Sequence, residues 1–177
     1  EPAANIDVKP SRNDATVLHM YVHDESSALD IEGVVAETGN HFIGLSFDEL
    51  DDLDDHRFNR YLTQYREALG SSGIGLICAP PCETFIGDRF RPKQGPDRYC
   101  RRQLPQDDGK LVNMETCMML RSVTMCRTPL KHNADFVCYL HCLGNVHTAP
   151  LLDEFLELSK QPRVNVITEN ANEDANA

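Results

Sequence analysis

The sequence predicts an α/β fold: a mostly parallel sheet of about five strands with helices on both faces. Three observations lead there. Short segments rich in β-forming residues alternate with amphipathic segments long enough to cross over a sheet. Turn-forming clusters separate most of them. The 177 residues, 41% hydrophobic and 25% charged, have the size and balance of one globular domain.

"TVLHMYV", 16–22, reads as the opening strand after a flexible arm over 1–15. A helix follows in "ESSALDIEGVVAETG", with Ala28, Ile31, Val34 and Val35 at helical spacing, Ser26 or Ser27 as cap and Gly39 at its end. "HFIGLSF", 41–47, is the second strand. The acidic block "DELDDLDD", 48–55, then leads into a helix whose buried stripe is Phe58, Tyr61, Leu62, Tyr65 and Leu69. Aspartates at a helix start suit the positive end of its dipole.

"SSG" breaks the chain before a third strand, 74–79. A long loop over 83–110 is punctuated by three prolines and three glycines and has no periodicity. A Met-rich helix over 111–127 shows Val112, Cys117, Leu120 and Val123 or Thr124 on one face. Met114, Met118, Met119 and Met125 do not share one stripe, so core packing and a partner contact both stay open for them. The fourth strand is 135–143, a helix opened by Pro150 spans 149–161, and 163–168 is a last strand before a polar tail over 169–177. Residues 16–168 are read as one domain.

Charge is unevenly spread. The net charge of −11 argues against the whole surface gripping a polyanion. Segment 88–102 is nevertheless basic, with Arg89, Arg91, Lys93, Arg98, Arg101 and Arg102. Two readings stay open: a local site for nucleic-acid phosphate, or a solvated loop paired with the acidic block. No apolar run approaches the roughly 20 residues that span a bilayer, so no membrane role is expected. Seven cysteines at irregular spacings point to a reducing, intracellular setting, cytoplasm or nucleus. The chain opens on Glu1 rather than Met, which we read as a processed product or a segment of a longer protein.

Parallel α/β sheets bind ligands beyond the carboxyl ends of their strands. The chemistry-bearing residue there is Cys82, in "APPC" directly after the third strand. Two prolines make a stiff turn, which is expected to hold the thiol exposed at the rim of the sheet. Basic residues nearby would favour its thiolate as a nucleophile, whereas a lone cysteine is equally read as a small buried side chain.

"APPC" after an apolar strand resembles the Pro-Cys motif of the cytosine-5 DNA methyltransferases, which belong to the class I S-adenosylmethionine-dependent methyltransferases. The span from 16 to 145 is similar in layout, and the resemblance implies a Rossmann-like methyltransferase fold. It implies Cys82 as the nucleophile attacking C6 of a flipped-out cytosine. It places S-adenosylmethionine against Val22, His23, Asp24 and Pro80, with Asp48 or Glu49 as the ribose-binding acid. The basic loop 88–102 would then contact the nucleic-acid backbone.

Two departures from the family's pattern stand in the residues. "YVHDES" holds no glycine where the family has a glycine-rich cofactor turn. "CYLHCLGN" holds no carboxylate where the family has a catalytic glutamate. The alternative function is therefore a catalytically inactive scaffold, binding nucleic acid or assembling with a protein partner or flanking domain. His132, Cys138, His141, Cys142 and His147 fall within sixteen residues, and two thiols with two imidazoles could close a tetrahedral zinc site. Along a strand, however, Cys138 and Cys142 stand about 13 Å apart at roughly 3.3 Å per residue, so no metal is expected. The zinc-deaminase signature, with its Cys-x-x-Cys and upstream His-x-Glu, is not matched.

Overall fold

The structure is a computed structural model describing residues 16–22, 25–46, 55–69, 74–86, 89–92, 95, 97, 99–100, 103–132, 136–140 and 152–165. The expected arm over 1–15 and tail over 169–177 lie outside these residues. In order, the elements are β1 (Thr16–Val22), α1 (Glu25–Glu37), β2 (His41–Ser46), α2 (Asp55–Leu69), β3 (Ile74–Cys78), a 3-10 turn (Glu83–Phe85), α3 (Gln106–His132), β4 (Phe136–Leu140) and α4 (Asp153–Ser159).

The four strands form one sheet in the order β2-β1-β3-β4, every neighbouring pair parallel. The α/β class and the parallel sheet are as the sequence predicts, with four strands among the described residues rather than about five. The expected strand at 163–168 begins in a turn instead: the Val164 amide donates to the Gln161 carbonyl over 3.1 Å. Pro162 takes the second position of that turn, which its fixed φ favours. The remainder, 166–168, lies outside the described residues.

The chain divides into two compact units, one of residues 1–79 with 125–141, the other of 80–124 with 142–177. The first holds the sheet. Register assigns its faces: Leu18, Leu76 and Cys138 align on one, Val17, Gly75 and Val137 on the other. On the first face Leu18, Met20, Leu76 and Cys78 are buried. Cys126 of α3 and Tyr65 of α2 meet Cys138 there, so both helices cover that face. Of the predicted α2 stripe, Phe58, Leu62 and Tyr65 are buried at i, i+4 and i+7, while Tyr61 is only half-buried and the side chain of Leu69 lies outside the described residues.

Helix α1 packs against β1 and β2 on the opposite face. With Val17, Gly75, Ile77 and Tyr139, its residues Ile31 and Val34 line an open apolar hollow of about 580 Å³. Val35 is buried, but Val34, expected in the same stripe, stands 64% exposed. Gly39 ends the helix as predicted. Its φ of +74° lets the Gly39 amide donate to Ala36 O and the Asn40 amide to Val35 O, which satisfies two terminal carbonyls.

Helix α3 runs five residues further at each end than its periodicity indicates. Asp107 and Asp108 favour its positive end. Pro129 falls in the last turn, where it removes a single backbone bond rather than breaking a long helix. Met118, Met119 and Met125 are all buried, so core packing accounts for these three. Helix α4 is shorter than predicted, starting after Leu152 in extended backbone; Pro150 lies outside the described residues.

A sulfur-rich core joins the helices to the sheet in the first unit. Cys78 Sγ lies 3.8 Å from Met20 Sδ. The largest influence on Cys126, a hydrogen bond with Cys138, lowers its pKa, but its bond with Cys78 and burial carry it well above the ordinary 9.0. Cys138 is raised by its bond with Cys126 and then by burial. Tyr65 is raised above 10.0, chiefly by burial. In each case the folded state retains a proton that the unfolded chain releases first. The resulting stability is complete below the unfolded values of 9.0 and 10.0 and is lost as pH rises through the folded ones. We expect urea midpoints to fall between pH 8.5 and 10.5, and Cys138→Val to flatten that fall; an equal slope in the variant would remove the thiols as its cause.

Candidate functional site

The ladder between β1 and β3 extends one residue past Cys78, where the Ala79 amide donates to Met20 O over 3.3 Å. Pro80 and Pro81 follow. Neither carries a backbone N–H, so the ladder stops there. Cys82 caps the 3-10 turn, with Phe85 N donating to Cys82 O (3.0 Å) and Ile86 N to Glu83 O (3.2 Å). A strand that ends on a stiff proline pair and a cysteine is thus present as expected.

The exposure expected of Cys82 is not. The residue is 5% exposed and packs with Phe85, Met119 and Leu152, with Tyr99, Leu120 and Phe155 against the cluster. The turn and distant side chains together bury it. The Phe85 amide, bonded to Cys82 O, keeps the two residues close, and Met119 of α3 and Leu152 complete the apolar cluster around them.

The basic loop also differs from expectation. Arg91, expected as a phosphate contact, is fully buried. Its Nε donates to Thr84 O (3.3 Å) and its Nη2 to Thr84 Oγ1 (2.8 Å) and Val112 O (3.0 Å). Its Nη1 donates to Thr116 Oγ1 (2.9 Å) and to Tyr99 O. A guanidinium has five N–H donors, and all five are used. The group also lies 3.7 Å from the centroid of the Phe85 ring. Burial lowers its pKa to about 10, while the Glu115 carboxylate acts the other way. Arg91 therefore has neither the exposure nor a donor left for a phosphate.

Glu115 completes this arrangement. Its Oε2 accepts from the Thr84 amide (2.8 Å) and from Thr84 Oγ1 (2.5 Å). Thr84 thus relays between a buried cation and a buried carboxylate. The sequence reading missed Glu115, although it is the one charged residue in the stripe. That stripe is Val112, Glu115, Met119, Ser122 and Cys126, all buried, and Cys117 and Leu120 lie only at its margin.

Arg89 is exposed, 3.4 Å from Asp108 and over the Phe90 ring at 4.7 Å. Lys93, Arg98, Arg101 and Arg102 lie outside the described residues, as does the acidic block through Asp54. Tyr99 ties the loop to α4, its hydroxyl donating to Glu154 Oε2 over 2.7 Å and accepting from the Asp153 amide over 3.4 Å. Of the residues expected to hold a cofactor, Val22 ends β1 and Pro80 is buried after β3; His23, Asp24 and Asp48 lie outside the described residues. Of the five candidate zinc ligands, His132 is the last residue of α3, Cys138 belongs to the sulfur core, and His141, Cys142 and His147 are outside the described residues. No three His, Cys, Asp or Glu side chains among the described residues are placed to hold a metal ion. No described helix is long and apolar enough to cross a membrane.

The two arginines should respond differently to substitution. Arg91→Met leaves several buried acceptors and the Glu115 charge without a cation, and we expect it to cost about 3–5 kcal/mol in urea unfolding. Arg89→Gln removes an exposed pair and should change stability by less than about 1 kcal/mol. Equal losses would contradict the assigned roles. No known family model matches the chain, and no significant match is found among curated proteins or solved structures.

Proposed function

We propose that the chain is a methyltransferase-like domain that takes S-adenosylmethionine at the carboxyl edge of its sheet and acts on a nucleic-acid base through Cys82. The observation that carries this reading is the strand order. From β1 the chain crosses to β2 on one side, then returns past β1 to β3 on the other. Parallel α/β sheets bind nucleotide-type ligands at such a reversal, beyond the carboxyl ends of the two diverging strands. Here those strands are β1 and β3, and the Pro-Cys segment is the continuation of β3. The Rossmann-like methyltransferase fold is part of the same proposal. Bound cofactor would supply an electrophilic methyl group; this chain would supply the crevice and the thiol. The exposed Arg89, with Arg98, Arg101 and Arg102, would neutralise backbone phosphates.

A second reading is favoured by one specific observation, the burial of Cys82 among apolar side chains. A catalytically inactive scaffold that binds nucleic acid or a protein partner needs no accessible thiol. Substituents after β1 count in the same direction, since "VHDE" offers no glycine for close approach of a cofactor.

Calorimetric titration with S-adenosylmethionine and with its demethylated product separates the two. The first reading requires binding in the millimolar range or tighter. It also requires methyl transfer to a cytosine-containing oligonucleotide that Cys82→Ser abolishes at unchanged cofactor affinity. Absence of binding would leave the scaffold, and transfer retained in Cys82→Ser would reject the thiol as nucleophile.

A further inference from the structure

We infer that Arg91, Thr84 and Glu115 form a latch that holds the Pro-Cys turn shut over Cys82, making them positioning residues that gate access to its thiol. The inference rests on the reading of Cys82 as the nucleophile of the site. Every group involved belongs to one compact unit, residues 80–124 with 142–177.

Phe85 joins the two parts: it shares the buried cluster with Cys82 and carries the Arg91 guanidinium on its ring. Its ring packs in the cluster with Cys82, Met119 and Leu152. The guanidinium of Arg91 lies 3.7 Å from its centroid. A cation held over an aromatic face in desolvated surroundings fixes the ring more firmly than apolar contact alone. Thr84, between Phe85 and Cys82, is pinned on two sides. Its amide and hydroxyl both donate to Glu115 Oε2, and its carbonyl and hydroxyl both accept from Arg91.

Glu115 sits on α3 four residues before Met119, so one helical turn carries both the anchor of the turn and the floor beneath the sulfur. Nothing in covering an inert cysteine calls for a buried cation, a buried carboxylate and a relay between them. Apolar side chains of similar volume achieve that at lower desolvation cost. Charge placed here instead makes the closed turn conditional: disturbing one member removes partners from the other two at once. Phe85 is one of the side chains enclosing Cys82, and displacing it strips the latch of its ring contact.

The test is the reactivity of Cys82 in the full chain, measured as the rate of iodoacetamide labelling at each cysteine by peptide mass spectrometry. In the native protein Cys82 should label at least tenfold more slowly than the half-buried Cys100 and Cys117. Thr84→Val, which removes the relay hydroxyl but keeps the shape, should speed Cys82 at least tenfold. Glu115→Gln, which keeps the shape but removes the charge, should do the same. In both, Cys78 and Cys126 of the sheet unit should stay slow, and Thr84→Ser, retaining the hydroxyl, should label like the native protein. Unchanged Cys82 labelling in both variants would overturn the latch. So would acceleration shared by Cys78 and Cys126, which reports unfolding of the whole chain.

Hydrogen exchange on the native protein gives an answer that no variant has to fold for. A latch requires the Thr84 amide to exchange faster than those of β1 and β3, through local opening; exchange at their rate would overturn it. Labelling needs no cofactor, so its outcome is independent of the proposed function. Unresponsive Cys82 with intact cofactor binding defeats the latch alone. Responsive Cys82 without cofactor binding defeats the methyltransferase reading alone.

Discussion

A buried guanidinium imposes the strictest condition on this structure. An ionised arginine in the interior is tolerated only if its donors are all satisfied and its charge is opposed. Arg91 meets both requirements with groups from distant parts of the sequence: the 3-10 turn, the loop at Tyr99, and Val112 and Thr116 on α3, with Glu115 opposing it across Thr84. A loop of little regular structure is thereby fixed to a helix at several points. Remove the demand for satisfied donors, and nothing in the loop's own sequence would select this path.

That condition also decides which chemistry the loop can perform. A cation that spends every donor on its own protein cannot bind an anion, so the positive charge counted along 88–102 overstates what is offered to a ligand. Arg89 differs: it is exposed, and among the described residues it meets Asp108 at long range and an aromatic ring. Two arginines separated by one residue thus belong to different functional categories, and burial rather than spacing separates them.

The sheet supplies the second constraint. Its order sets β1 and β3 side by side at the reversal, and the proline pair ends the ladder one residue beyond β3. The backbone after β3 is then free to turn, and the 3-10 turn keeps Phe85 close to Cys82. Stiffness in the chain before a residue and exposure of that residue are separate properties. The prolines give the first; contacts made by Phe85, Met119 and Leu152 settle the second.

The strands, the helices of the sheet unit and their parallel arrangement were legible in the sequence, because periodicity, crossover length and turn residues are local signals. The glycine at the end of α1 and the stripe of α2 were equally plain, since an αL position and an i, i+4, i+7 pattern need no tertiary information. The full length of α3 was not legible from periodicity, because its first turn is polar with Asp107 and Asp108 and its last turn contains Pro129. What the sequence by itself determined was the α/β class and the position of a cysteine just past a strand. Only the tertiary structure decided that this thiol is covered and that Arg91 faces inward. Both depend on residues tens of positions away, whose meeting no local pattern of charge or hydrophobicity records.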